Sequence, residues 1–220
     1  DESEISHYIS LYWGSLMIGR WTGAIGVFNL STMGKRIATI VVPFIAFAVV
    51  LFANYLKGND VSDLYAYSFV VILMIIAFFY GQEKPVKTLL TVATLGTVAM
   101  LIGVFTKGIV SVYAFMAGGL CCSVMWPSIF ALSVAGLGKY TSQGSAFLIM
   151  MILGGAIIPP TQGSIIDLDP SGDANVYTFT QLSYLVPLAC FAYLAFYAYR
   201  MKVVLAKRGI VLEEATAGGH

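Results

Sequence analysis

Apolar residues run along this chain in long blocks, and polar residues gather in the short stretches between them. About 20 apolar helical residues cross the hydrocarbon core of a bilayer. Measured against that length, the pattern predicts seven spans, at about 8–30, 37–56, 64–81, 87–106, 109–135, 144–167 and 178–200. The connections are short, so the expected fold over residues 1–220 is an all-α membrane protein, a helical bundle of about seven transmembrane spans without a soluble domain. The blocks differ in kind. Span 1 carries Gly14, Gly19, Gly23 and Gly26, with Gly19 and Gly23 at the spacing that lets helix backbones approach closely. Spans 4, 5 and 6 also hold interior glycines, whereas spans 2 and 3 are built from bulky runs such as VVPFIAFAVVLF and FVVILMIIAFF. Spans 1, 4, 5 and 6 are therefore expected to form the packed core, with spans 2 and 3 as a peripheral helical hairpin.

Two neighbouring spans, within Val110–Asp167, are interrupted by residues that break helices. Span 5 holds Gly118-Gly119 and then Pro127; span 6 holds Gly154-Gly155, Pro159-Pro160, Gln162 and Gly163. Proline removes a backbone donor and collides with the preceding turn. In hydrocarbon the carbonyls so freed are tolerated only where the segment packs in protein or lines a wet cavity. Broken helices near the midplane point to the solute site of a transporter. A packing kink is the other reading, because Gly and Pro are common in membrane helices.

Composition narrows the class. The chain is 59% hydrophobic and 10% charged, against roughly 25% charged for a soluble domain, which excludes a water-soluble fold. A net charge of +1 without a basic run gives no reason to expect nucleic acid as a partner. The placement of charge says more. One set of loops holds Lys35, Arg36, Lys84, Lys87, Lys139, Arg200, Lys202, Lys207 and Arg208; the other holds only Lys57 and Lys107, with eight carboxylates (Asp1, Glu2, Glu4, Asp60, Asp63, Asp167, Asp169, Asp173). By the positive-inside rule the first set is cytoplasmic, so the N-terminus is expected outside and the C-terminus inside. Tyr8, Tyr12, Trp13, Tyr55, Tyr65, Tyr80, Tyr140, Tyr177 and Tyr199 sit near the expected ends, as an interfacial belt would. The chain opens on Asp1-Glu2-Ser3-Glu4, with neither an initiator Met nor a signal peptide, and is expected to be a piece of a longer protein.

Few residues could carry chemistry. Cys121, Cys122 and Cys190 lie in apolar spans with no ligand-spaced His, Asp or Glu, so neither a metal nor a disulfide framework is expected. GLGKYT (Gly136–Thr141) fails as a phosphate loop, because Tyr140 replaces the required Ser/Thr and Ser133 stands at the first glycine position. His7 and His220 are terminal, and no Ser-His-acid set or carboxylate pair can be assembled, so an enzyme is not expected and no cofactor is implied. Span 7 has no mid-span Lys for a retinal Schiff base. Arg20 is the one charge well inside a span, and an intramembrane charge is by default a functional hypothesis with a partner to be named. No Asp or Glu lies at its depth. It either bonds to carbonyls and snorkels inward or pairs with a part of the protein outside this chain. Trp126, beside Pro127, could stack on a sugar's C–H face or pack in a kink. Gln162 could bind hydroxyls or tie two helices together. Asn29 reads as structural.

The residues also carry a resemblance. IGRWTGAIG followed by STMGKR resembles the eighth helix and following loop of the fucose–proton symporter family within the major facilitator superfamily, a group that includes bacterial glucose/galactose transporters. SVMWPSIFALSVAGLGKYTSQGSAFLIMMILGGAIIPPTQGSIID resembles its tenth and eleventh helices almost throughout. The motifs are the aromatic-Pro-[ST]-Ile-Phe step, the Gly-Leu-Gly turn, the Gly-Ser-[AS]-Phe start and the Gly-Gly-x-Ile break. The resemblance implies a proton-coupled permease for a hexose or deoxyhexose such as glucose, galactose or fucose, working by alternating access in a bacterial inner membrane. This chain would be most of its C-terminal half. Its partners would be the sugar, the proton, the bilayer and the missing N-terminal half that holds the coupling carboxylates. Trp126 and Gln162 would contact the sugar; Pro127, Gly154, Gly155, Pro159 and Pro160 would shape the cavity; Arg20 would pair or gate. Two departures stand out. Residues 32–84 have no counterpart in shorter members, which makes them an inserted hairpin. Ser31 and Thr32 replace the loop motif's usual Asp and Arg, while Gly34-Lys35-Arg36 is kept. A seven-span receptor or sensor scaffold, and a permease of this architecture for a non-sugar solute, are the competing readings.

Overall fold

The computed structural model describes residues 2–25, 28, 30–58, 61–81, 84–168 and 176–209. Gly26, Asn29, His220 and the carboxylates Asp1, Asp60, Asp169 and Asp173 lie outside them. Among the described residues there are α-helices, 3-10 turns and no strand: α1 (Glu2–Ala24), α2 (Thr32–Leu56), α3 (Ser68–Gly81), α4 (Pro85–Phe105), α5 (Ile109–Val134), α6 (Thr141–Met150), α7 (Gly154–Ile166), α8 (Val176–Ser183) and α9 (Leu185–Arg208). Six helical stretches among the described residues are long and apolar enough to cross a membrane: Thr32–Leu56, Asp63–Gly81, Pro85–Phe105, Ile109–Val134, Gly138–Ile166 and Phe179–Arg208. The protein is a multi-pass, all-α membrane protein. α1 matches them in length, with 23 residues, but charged and polar residues such as Glu2, Glu4 and Arg20 dilute its apolar character.

Local chemistry explains where the helices begin and end. Ser31 accepts the Gly34 N–H at 3.1 Å, an N-cap that starts α2 ahead of the expected span. Pro85 opens α4 at a position where its missing N–H costs nothing. Gly209, at φ +64°, closes α9 just after Lys207 and Arg208, an arrangement that favours a helix C-terminus. Gly136 and Gly138 both have positive φ, so the turn between α5 and α6 needs glycine at each.

Contacts between helices fix their relative directions. Tyr12 lies against Gly119, and Gly19 against Ser123 and Val124, so α1 and α5 are parallel. The Phe115 ring stacks on Tyr184 with centroids 3.6 Å apart, and Ser133 shares a 2.9 Å hydrogen bond with Tyr197; α9 is therefore parallel to α5. α2 opposes α1, with Asn54 Nδ2 donating to Ser10 Oγ at 2.9 Å and Val50 against Gly14. α4 opposes α5, with Ser111 Oγ donating to the Gly103 carbonyl at 2.7 Å and Met100 against Gly118. Spans 1, 5 and 7 share one direction and spans 2 and 4 the other, as alternate crossings of a membrane require.

The packed core differs from the expected one. α1, α4 and α5 are in it, through Leu11, Ile18, Leu89, Val92, Leu120 and Leu132. Span 6 is not. No residue of the 3-10 turn Gly138–Tyr140, α6, the 3-10 turn Met151–Leu153 or α7 is buried, and nothing faces Gly154, Gly155 or Gly163 within 4 Å. α9 fills that place instead, with Phe191 packed against Gly96 and Gly118 and with Ala198 and Leu205 buried. α2 and α3 contribute Phe47, Val50, Val71 and Met74 to the same core, while Phe44, Phe52, Phe69 and Ile76 point outward. Tyr67, ahead of α3, is wholly buried and donates its hydroxyl to the Met116 carbonyl at 3.2 Å.

Backbone breaks also fall differently. α5 is one continuous helix through Pro127. In span 6 the interruption is the 3-10 turn Met151–Leu153, just before Gly154, and Pro159 and Pro160 lie inside α7. Two adjacent prolines remove two helical donors, and the 3-10 turn lies about two turns ahead of them; a stretch of 3-10 inside a helix marks a hinge or a strained sequence.

Because Gly19 has α5 side chains against it and Gly23 has nothing within 4 Å, the two glycines should respond differently to bulk. Gly19→Leu is expected to destabilise the protein by about 1–3 kcal/mol, the usual range for overpacking, and to lower its thermal midpoint in detergent. Gly23→Leu should leave that midpoint close to the parent's.

Candidate functional site

α5 is enclosed on most of its surface. Gly119 and Ser123 face α1, while Gly118 faces α4 and α9. Between those flanks Cys122 and Trp126 emerge, one helical turn apart and so on one face. Cys122 is exposed, and Trp126 is 45% exposed although Val124 and Met125 beside it are buried. The flanking helices border this opening with polar and aromatic groups. Tyr12 of α1 and Cys190 of α9 lie within electrostatic reach of Cys122. At one end stands the Phe115–Tyr184 stack; toward the other, the Ser133–Tyr197 hydrogen bond joins α5 to α9. The result is an open, aromatic-walled furrow along α5. It offers ring faces, a tyrosine hydroxyl and thiols, without a carboxylate or imidazole among its described residues. Such a surface suits a neutral amphiphilic ring, held by stacking on one face and hydrogen bonds at its edge.

Pro127 apart, the other candidate residues make no hydrogen bond with Trp126 among the described residues. Gln162 is half-buried on α7 and donates to Ser183 Oγ at 3.3 Å, tying α7 to α8. Pro159, Pro160 and Gly155 are exposed, and Gly154 is partly so. Pro127 is exposed beside Trp126. Arg20 is exposed on the side of α1 opposite its buried residues Leu11, Ile18 and Thr22. It shares a shallow depression of about 290 Å³ with Trp13, Leu16, Met17 and Trp21, all on α1. It has neither an ion pair nor a carbonyl hydrogen bond among the described residues. Lys139 instead lies over the Tyr140 ring, 5.2 Å from its centre, in the turn between α5 and α6. No group of three or more metal-ligating side chains occurs among the described residues.

Tyr12, Cys122 and Tyr184 border the furrow, yet sequence reasoning did not single them out for a site. A usable signal was present in α5. Phe115, Cys122 and Trp126 recur at helical spacing, and the glycine pair Gly118-Gly119 marks where neighbours close in on either side of that stripe.

Comparison with known proteins adds an independent finding. The chain is 29% identical over 196 residues to a glucose/galactose transporter of Brucella abortus, a match covering 89% of this chain and 32% of that protein. It is 27% identical over 200 residues to a putative glucose/galactose transporter of Helicobacter pylori, covering 91% and 35%. To the L-fucose-proton symporter of Escherichia coli it is 32% identical over 146 residues, covering 66% and 30%. The chain spans about a third of the length of the curated relatives it matches. No family model matches it, and no solved structure does. The resemblance carried by the motifs of α5 to α7 therefore holds, and similarity to part of the glucose/galactose transporters runs over about nine-tenths of the chain.

Proposed function

We propose that this chain is the C-terminal part of a proton-coupled sugar permease that works by alternating access, with a hexose or deoxyhexose as solute. The observation that carries the reading is the similarity to glucose/galactose transporters over 89% of the chain; names of the fucose relatives, which specify a proton symporter, support the coupling ion. The furrow along α5 is the chain's share of the solute pathway. Trp126 stacks on the sugar ring there, and Pro127 beside it holds open the turn from which that side chain projects. The open surface of α6 and α7, with Gly154 and Gly155 uncovered, faces the N-terminal half across the same pathway. Gln162 reaches sugar hydroxyls from α7, and the bend before Gly154, with the Pro159-Pro160 step, shapes that wall. Arg20, on the open side of α1, meets a carboxylate of the other half and takes part in coupling or gating. The hairpin 32–84 is an insertion that clamps α1 from outside. The protein catalyses no bond-making and lies in a bacterial inner membrane, N-terminus of this chain outside and C-terminus in the cytoplasm.

Three measurements on the full-length protein test these assignments. Trp126→Ala should reduce apparent sugar affinity at least about tenfold, corresponding to 1.4 kcal/mol, with normal amounts in the membrane; unchanged uptake would remove Trp126 from the site. Gln162→Ala should lower uptake while Ser183→Ala does not, because Ser183 touches Gln162 only from the side of the helix tie. Equal losses in both variants would make that tie the whole role of Gln162. Arg20→Met should abolish proton-driven accumulation and leave protein levels unchanged, and normal accumulation would take Arg20 out of the mechanism.

A further inference from the structure

α9 packs through one side only. Phe191, Ala198 and Leu205 recur every seven residues and are buried against the bundle. The outward side carries Tyr193, Phe196 and Tyr199, exposed by 65%, 59% and 56%, at spacings of three that keep them on one stripe. The stripe changes character in the helix's last turns. There Tyr199, Lys202, Val203, Ala206 and Lys207 line an open depression of about 480 Å³, with Arg200 and Arg208 at its margins. These cations form no ion pair among the described residues. The nearest carboxylates in sequence, Glu213 and Glu214, lie outside those residues. The negative end of the helix dipole lies here too, and four side-chain charges within nine residues outweigh its half charge.

A solvated face would explain the lysines, and a lipid-facing helix would explain the aromatics. Neither explains the two running into each other in one continuous stripe with a concavity at the join. We infer that this end of α9 is a binding site for an anionic phospholipid. The headgroup phosphate is held by Lys202 and Lys207, with Tyr199 at the level of the glycerol, and an acyl chain lies along Phe196 and Tyr193. Charge complementarity selects the ligand. A juxtamembrane cation is attracted to an anionic leaflet, so two lysines acting together distinguish an anionic from a zwitterionic headgroup. The apolar stripe separates a lipid from free phosphate, which has nothing to place there. The site lies away from the furrow on α5 and does not depend on which solute is carried.

The test uses the full-length protein purified in a neutral detergent. Its thermal midpoint is measured with added phosphatidylglycerol, with phosphatidylcholine at the same mole fraction, and with inorganic phosphate. Phosphatidylglycerol is expected to raise the midpoint, and the other two are not. Lys202→Gln/Lys207→Gln should cut the phosphatidylglycerol shift by about half or more while leaving the lipid-free midpoint unchanged; Lys202→Arg/Lys207→Arg should retain it. Equal shifts with the two lipids, a phosphate effect matching the lipid's, or a full shift in the glutamine variant would each overturn the site. Sugar uptake, measured alongside, is expected to persist in the glutamine variant, so failure of the lipid site is separable from failure of the transport reading.

Discussion

The bundle depends on how closely α5 is approached by its neighbours. On one side Gly19 of α1 lies against Ser123 and Val124; on the other, Met100 of α4 and Phe191 of α9 enter against Gly118. In a membrane the apolar effect does not draw helices together, because lipid tails are as apolar as leucine. Association rests on van der Waals contact between closely fitted surfaces. Each glycine is a hole and each ring or methionine a knob, and removing a hole forces helices apart. On the α1 side the buried hydroxyls are settled within their own helices, with Ser123 Oγ donating to the Leu120 carbonyl at 2.6 Å and Thr22 Oγ1 to the Ile18 carbonyl at 2.7 Å, while Ser111 and Tyr67 reach across to the Gly103 and Met116 carbonyls. Between α1 and α5, fit rather than polar pairing therefore sets the spacing.

That constraint also creates the furrow. Because α1 and α9 both grip α5 at glycines, they stand on either side of it without meeting over Cys122 and Trp126. The exposed tryptophan follows from helix spacing. The polar helix tie near it runs from α5 to α9 through Ser133–Tyr197, so it holds one wall without closing the furrow. α6 and α7 extend from this edge with no buried residue, which is the form expected of a helix whose packing partner belongs to another part of the protein.

Much of this was legible in the sequence, for a simple reason. Crossing a bilayer is a requirement on length and apolarity, so the apolar blocks matched α4 and α5 to within two positions, whereas α1 lies six residues earlier than expected and α9 runs eight residues further. Packing was harder to read. A side chain facing lipid and one facing another helix are both apolar, so glycine content stood in for burial and misplaced two helices. Span 6 has Gly154, Gly155 and Gly163, yet they face open space. α9 has no glycine before its cap, and its Phe191 fills the holes at Gly96 and Gly118. Glycine marks where a neighbour can come close; it does not say whether the neighbour lies in this chain. Pro127 shows a similar limit, since a continuous helix absorbed it on its exposed side.

The central claim is that the α5 face carrying Trp126 is a wall of a water-filled pathway and not a lipid contact. It is tested most directly by labelling. In the full-length protein with Cys121 and Cys190 replaced by Ala, and any cysteine elsewhere removed, Cys122 is treated in intact membranes with a membrane-impermeant maleimide. The account predicts that Cys122 is modified from the aqueous phase and that the transported sugar slows the reaction. A thiol inert to the impermeant reagent from both sides of the membrane, yet reactive toward a lipid-soluble maleimide, would place this face in lipid and contradict the account.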